Sequence, residues 1–316
     1  MDISKKIKPK EKLVIAVSGG PDSMCLLHIL LKLQKKLNLT LSVAHVNYQL
    51  RKKDSDLDQK LVQDFCRQSN LTCFIKKVND ITSSDSNLEA KLRKIRYDFF
   101  ETVRKKQNAD KIVIAHNQDD QIETILMRIL RGTGLKGLKG MSEKRDKIVR
   151  PLLNVSRKEI LDYCQKNKVE FRVDKSNYDK KFFRNQIRHE ILPYLEKYSP
   201  DLKLNLKRLG QTAARDYDFV QKTAVKLVHS SKFKVQSSNN SVTLDYKKWL
   251  KLNSALQYET IRQAILEIRG DLMGIKMVHL DEVVEVLKKG IGNKQKTLPG
   301  GLKIELKNAK IRIDTK

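Results

Sequence analysis

Between Ser18 and Ser23 the chain reads S-G-G-P-D-S, which places two hydroxyls, two glycines and one carboxylate within six residues. Gly19 and Gly20 allow the backbone to approach a ligand closely, while Ser18, Ser23 and the first N–H groups of a following helix converge on one point. Such a point suits a phosphate. A turn serving geometry alone would need the glycines and Pro21, but not Ser18, Asp22 and Ser23 as well. The stretch is neither a Walker A loop, since no Gly-Lys-Ser/Thr follows, nor the G-x-G-x-x-G dinucleotide fingerprint.

A second constellation lies in A-H-N-Q-D-D-Q-I-E-T-I-L-M-R-I-L-R-G-T-G-L-K-G-L-K-G. His116 ends an apolar run, and Asp120 and Glu123 fall one turn apart on the helix that follows. Acids at a helix start complement its dipole. Here the neighbouring His116 and the loop of Arg131, Gly132, Thr133 and Gly134, with Gly137 and Gly140 beyond, point to a bound ligand as well. Of the 13 glycines in the chain, six lie in this loop and the first turn, where backbone must pass close to something. Three further groups are candidates. His45 and Asn47, with Arg51 beyond them, close an apolar run in H-V-N-Y-Q-L-R, and His45 is placed to contact a base or ribose. Arg96 shares a helical face with Glu89 and Arg93. Arg184 and Arg188 share another, suited to phosphates.

The elements that must position these groups follow from hydrophobic period. Leu13 to Val17 is an unbroken apolar run, the mark of a buried strand, and Thr40 to Asn47, Cys73 to Val78 and Lys111 to Ala115 read as further strands. Helical patterns follow Pro21 and span 54–69 and 88–107. This alternation predicts an α/β fold with a mostly parallel sheet and helices on both faces, binding its ligand at the carboxyl ends of the strands. Ser156 and Glu159 form a capping box. One or two long helices over 199–230, with Gly210 as an interruption, lead to a smaller α+β domain. It has a strand near Val242 to Leu244, helices at 254–269 and 276–289 and a closing hairpin. The expected domains are 1–212 and 213–316.

The net charge of +28 calls for a polyanionic partner such as RNA, although it is spread along the chain as a Lys-rich composition would also produce. No apolar run approaches the length of a membrane span, and the basic start leads to too few apolar residues for a signal peptide, so a cytoplasmic protein is expected. Cys25, Cys66, Cys73 and Cys164 contain no C-x-x-C pair, which suggests free thiols and neither a zinc site nor a disulfide framework.

S-G-G-P-D-S resembles the PP-loop of the N-type ATP pyrophosphatases, a superfamily that splits ATP between its α and β phosphates and passes AMP to a substrate oxygen. With H-V-N-Y-Q-L-R, E-A-K-L-R-K-I-R-Y, A-H-N-Q-D-D-Q-I-E-T, R-G-T-G-L-K-G-L-K-G-M, R-P-L-L and R-N-Q-I-R-H-E-I-L-P in the same order, residues 13 to 193 closely resemble the tRNA(Ile)-lysidine synthetases. The C-terminal third resembles that family's first accessory domain, implying a short, two-domain form whose second domain contacts tRNA. The resemblance implies a Rossmann-like fold and a two-step reaction. ATP adenylates carbon 2's oxygen on the wobble cytidine of isoleucine tRNA with a CAU anticodon, and the amine of free L-lysine displaces AMP to form lysidine. Codon specificity changes from AUG to AUA.

By the same resemblance Ser18, Gly19, Gly20, Pro21, Asp22, Ser23 and His45 hold ATP, with Mg2+ on Asp22. Arg96, His116, Asp120 and Glu123 join Asp22 in catalysis. Asp120 and Glu123 receive lysine, while Arg131, Gly132, Thr133, Gly134, Arg184 and Arg188 bind substrate. A homodimer is a candidate assembly. Tyr48 and Asn117 stand where the family often has histidine. The rival readings are a PP-loop tRNA thiolase, which needs a sulfur carrier that the cysteine spacing does not provide, a small-molecule amide synthetase of the same superfamily, and a non-catalytic RNA-binding protein.

Overall fold

The structure, a computed structural model, describes residues 3–50, 53–78, 88–173, 182–230, 233–238, 241–290 and 294–315. Arg51 and most of the basic stretch before Phe182 lie outside the described residues. The chain divides into two compact units, Met1–Gln211 and Thr212–Lys316.

In the first unit, strands β1 (Lys12–Ala16), β2 (Thr40–Asn47), β3 (Thr72–Lys77), β4 (Lys111–Ile114), β5 (Lys144–Arg145) and β6 (Ile148–Val149) form one sheet in the order β3-β2-β1-β4-β6-β5. All neighbouring pairs are parallel except β5 with β6. β1 lies inside the sheet with both faces covered, which is why Leu13, Val14 and Ile15 form an unbroken apolar run.

The connecting helices are α1 (Pro21–Leu37), α2 (Lys53–Gln68), α3 (Leu88–Lys106), α4 (Gln118–Leu130), the single turn α5 (Leu135–Leu138) and α6 (Arg157–Lys166). α1, α2 and α6 share one core with β1 and β2, whereas α3 packs on the other face through Phe100 and Val103. The chain builds outward from β1 through β2 to β3, then crosses to β4 on β1's other side. The resulting crevice between the carboxyl ends of β1 and β4 is the topological switch point, where open α/β sheets bind ligands.

The unit closes with α7 (Phe183–Gln186), a widened π turn (Ile187–Ile191) and α8 (Leu192–Glu196). α9 (Leu202–His229) is one continuous helix, so Gly210 does not interrupt it. Instead the position needs glycine for packing: a Cβ there would meet Ile125 Cδ1 at 2.5 Å.

The second unit holds an antiparallel sheet of β7 (Lys234–Ser238), β8 (Ser241–Asp245), β9 (Lys294–Leu298), β10 (Leu302–Lys307) and β11 (Lys310–Thr315), ordered β7-β8-β11-β10-β9. α10 (Tyr246–Leu250), α11 (Ser254–Arg269) and α12 (Met277–Lys288) accompany it. β10 and β11 alternate buried and exposed residues, so one face carries Leu302, Ile304, Leu306, Ile311 and Ile313 into a core shared with Trp249 and α11.

Candidate active site

Gly19 has φ +91, a left-handed conformation that glycine adopts freely, and it turns the chain from β1 into α1. The hydroxyls then organise the turn: the Ser18 N–H donates to Ser23 Oγ (3.1 Å), the Ser23 hydroxyl donates to the Gly20 carbonyl (3.0 Å), and the two Oγ atoms lie 3.2 Å apart. Gly20 caps α1 without a side chain, so no side-chain acceptor occupies the first N–H groups of the helix. Those N–H groups and the positive end of the helix form an anion site. The turn is anchored from behind, because the Arg172 N–H donates to the Gly19 carbonyl (3.0 Å) while its guanidinium donates to Asp58 (2.8 Å) and Asp54 (3.2 Å).

A cavity opens beside the turn. It is lined by the polar Ser18, Ser23, Asp22, His116 and Arg96 and by Ala16, Val17, Val46, Tyr48, Tyr97, Phe100, Ile114 and Ala115. The lining is mainly apolar and aromatic, with the polar groups of the Ser18–Ser23 turn among it. Asp22, Arg96 and His116, far apart in sequence, all line this cavity. Tyr97 and Phe100 were not singled out from the sequence, and Tyr48 was noted only as standing where the family often has histidine. Their signal was nonetheless present, since Tyr48 follows Val46 at the strand period and Phe100 follows Arg96 at the helical one. Tyr48 donates its hydroxyl to the Leu92 carbonyl (3.1 Å), tying β2's end to α3.

His45 sits elsewhere. Alternation along β2 turns it to the face opposite Val46, where it is 2% exposed and its Nδ1 lies 2.8 Å from the Val17 carbonyl. It supports the start of the turn, and burial pushes its pKa down.

Asn117 caps α4 in a reciprocal box: its side chain accepts from the Asp120 N–H (2.9 Å), and Asp120 Oδ2 accepts from the Asn117 N–H (3.0 Å). The Asn117 amide also donates to Asp22 (2.9 Å), linking the two constellations. Burial raises the Asp22 pKa, with the Asn117 hydrogen bond opposing. Asp120 behaves oppositely. Burial would raise its pKa, but Arg184, the Asn117 N–H and Arg188 together hold the carboxyl below the usual range.

Glu123 does not offer a free carboxylate. Its side chain is 2% exposed, and its oxygens accept from Arg184 Nε (2.7 Å), Arg188 Nε (2.5 Å) and Arg188 Nη2 (3.0 Å). The same guanidinium groups reach Asp120 Oδ1 at 3.0 and 3.4 Å. Arg184 and Arg188, expected to face phosphates, thus meet the two acids expected to receive an amine. Two carboxylates and two guanidiniums form a compact, charge-balanced cluster.

In the glycine loop the close approach is to the protein's own side chains. A Cβ on Gly137 would collide with Thr133, and one on Gly140 would lie 2.6 Å from the Gln121 amide. Arg128 donates to the carbonyls of Gly137 (2.8 Å) and Gly140 (2.9 Å), and Gln121 bonds Lys139 and Met141. Arg131, Gly132, Thr133 and Gly134 are exposed, with open space around both glycines, and the Arg131 guanidinium lies 5.4 Å from the Phe183 ring centre. This rim is free to meet a large ligand.

The four cysteines are free, and none lines the cavity. Among the described residues no three His, Cys, Asp or Glu side chains gather as a metal site, and no helix is long and apolar enough to cross a membrane.

Comparison with known proteins agrees with this geometry. The chain is 37% identical over 302 residues to a tRNA(Ile)-lysidine synthase of Clostridium tetani, covering 94% of this chain and 64% of that protein. It is 35% identical over 309 residues to a tRNA(Ile)-lysidine synthase of Clostridium perfringens, covering 94% and 63%. It therefore spans slightly under two thirds of the length of these relatives. Among solved structures, a U34-tRNA thiolase from Methanococcus maripaludis, described with its 4Fe–4S cluster, shares the fold with a TM-score of 0.55 at 20% identity, over 65% of this chain and 72% of that one. A sequence model described as the PP-loop domain matches residues 2–195. With its strand–turn–helix corner at the switch point of a parallel sheet and the match over residues 2–195, this chain belongs to the PP-loop domain family.

Proposed function

We propose that the protein ligates L-lysine to carbon 2 of the wobble cytidine of isoleucine tRNA bearing a CAU anticodon, consuming ATP and releasing AMP and pyrophosphate. The observation that carries this reading is the 37% identity to a tRNA(Ile)-lysidine synthase across nearly the whole chain, together with a cavity lined in part by the Ser18–Ser23 turn. Ser18, Ser23 and the N-terminal N–H groups of α1 would receive the phosphates, and the walls of Tyr97, Phe100, Val46 and Ile114 would take the adenine ring. Asp22 is one carboxylate and no cluster, which fits Mg2+ held mainly by phosphate oxygens and water. Bound there, Mg2+ would offset charge growing on the departing pyrophosphate. Arg96 and His116, which line the same cavity, would donate to the α-phosphate.

Lysine carries a cationic amine that must lose a proton to react. Asp120 and Glu123 would offer the carboxylates for that amine, so lysine's entry would displace at least one of the guanidiniums that now cover them. The exposed rim at Arg131 to Gly134 and the second unit would meet the tRNA, consistent with the net charge of +28.

The thiolase reading lacks support in the residues, because no cysteine faces the cavity. The decisive experiment incubates the protein with ATP, radiolabelled lysine and either isoleucine tRNA (CAU) or a transcript with C34 replaced by U. Label in the first RNA alone supports the proposal. No label, or ATP-dependent sulfur incorporation with a sulfide donor, overturns it.

A further inference from the structure

Arg150 follows β6, the strand beside β4, and is 3% exposed. Its Nε donates to His116 Nδ1 (3.0 Å), and its Nη1 donates to the Ser142 carbonyl (2.9 Å). A guanidinium has only donors and keeps its proton throughout the physiological range. Its partner nitrogen must therefore present a lone pair. An imidazolium carries N–H groups on both nitrogens, and the Nδ1–H tautomer would set donor against donor. Only the neutral ring protonated at Nε2 fits.

We infer that Arg150 is a positioning residue that locks His116 in its neutral, Nε2-protonated form, so that His116 serves the cavity as a hydrogen-bond donor and never as a base. The surroundings agree. Burial pushes the ring's pKa down to about 3; Asp120 alone favours a second proton, while Arg150, Arg184 and Arg96 oppose it. A neutral donor can hold an oxygen that gains negative charge without surrendering a full proton. The inference rests on the proposed ligase reading only for the identity of that oxygen; the tautomer stands independently of it.

The test is nitrogen-15 NMR of the full chain labelled at histidine, with His116 assigned from a His116→Gln variant. Between about pH 5.5 and 8, where an ordinary histidine titrates, the His116 signals should show Nε2 protonated, Nδ1 bare and no movement. In Arg150→Met a mixture of the two neutral tautomers should appear, while the ring stays neutral across this range because it remains buried. Arg150→Lys, which keeps a cationic donor, should restore the Nε2–H form in part. AMP transfer in Arg150→Met should lose about tenfold or more in kcat, with the KM for ATP little changed, while Arg150→Lys recovers part of the rate together with the Nε2–H signal. An Nδ1–H tautomer, or a His116 that titrates near neutrality in the unaltered protein, overturns the inference. That spectrum decides it even if Arg150→Met fails to fold or the enzyme's substrate proves different.

Discussion

Replacing Glu123 with glutamine keeps the shape of the side chain and removes its charge from between Arg184 and Arg188. The carboxylate accepts three charge-assisted bonds at 2.5–3.0 Å and is 2% exposed, so little water can replace what is lost. Glutamine offers one oxygen, and its NH2 must face a guanidinium, donor to donor. Each lost bond to a charged group costs about 1.5–3 kcal/mol. Breaking a fully buried pair costs about 3–5 kcal/mol, but the two arginine side chains are 26% and 24% exposed and keep Asp120 as a partner. The net expectation is a loss of about 2–4 kcal/mol, or roughly 5–15 °C in Tm for a unit of this size.

The lone tryptophan, Trp249, sits in the second unit, so its fluorescence does not report on this cluster. Calorimetry does, because it resolves the two units if they unfold separately. A double-mutant cycle of Glu123→Gln with Arg188→Gln should return a coupling of at least about 1.5 kcal/mol. A Tm within two degrees or so of the parent, with coupling under about 0.5 kcal/mol, would refute the reasoning and mean that the cluster is open in solution. If Glu123 also receives lysine, the variant should retain AMP transfer to tRNA while the KM for lysine rises. Equal loss of both steps would assign the residue to the ATP step.

Asp22→Asn should abolish ATP-dependent AMP transfer while leaving Tm unchanged or higher. Burial raises the Asp22 pKa, so the ionised group costs stability at neutral pH, and the amide can still accept from Asn117; a fall in Tm would make Asp22 structural. Stability should also decline with acid in two stages. His116 has a folded pKa of about 3, below its unfolded value, so the unfolded chain binds a proton first and stability falls as pH drops below about 6.5. Asp120, held low by its arginines, adds a further loss as pH falls below about 4. His116→Gln should flatten the first stage in denaturant titrations, and an unchanged slope would contradict the assigned shift. Finally, tRNA affinity should fall by orders of magnitude between about 50 and 200 mM salt, because phosphate contacts release counterions. A salt-insensitive affinity would mark the +28 charge as composition alone.

Local pattern was enough for much of this protein. The unbroken run at Leu13 to Val17, the alternating hairpin of β10 and β11 and the helical periods of α2, α3 and α11 are properties of neighbouring residues, and the structure holds these elements within a residue or two of their expected places. The S-G-G-P-D-S turn was equally legible, since its glycines and hydroxyls act on each other across five residues. What the sequence could not determine is which distant group each charge would meet. Glu123 and Asp120 present one helical face whether that face awaits a ligand or two arginines more than sixty residues away; only the packing of α7 and the π turn against α4 decided it. His45 and Val46 are adjacent in sequence and on opposite faces of the sheet. Gly137 and Gly140 looked like ligand-facing glycines but make room for Thr133 and Gln121. The bond between Arg150 and His116 joins residues that flank adjacent strands, a proximity set by sheet order. Periodicity acts along the chain, whereas charge pairing, tautomer and steric room depend on what the fold brings alongside.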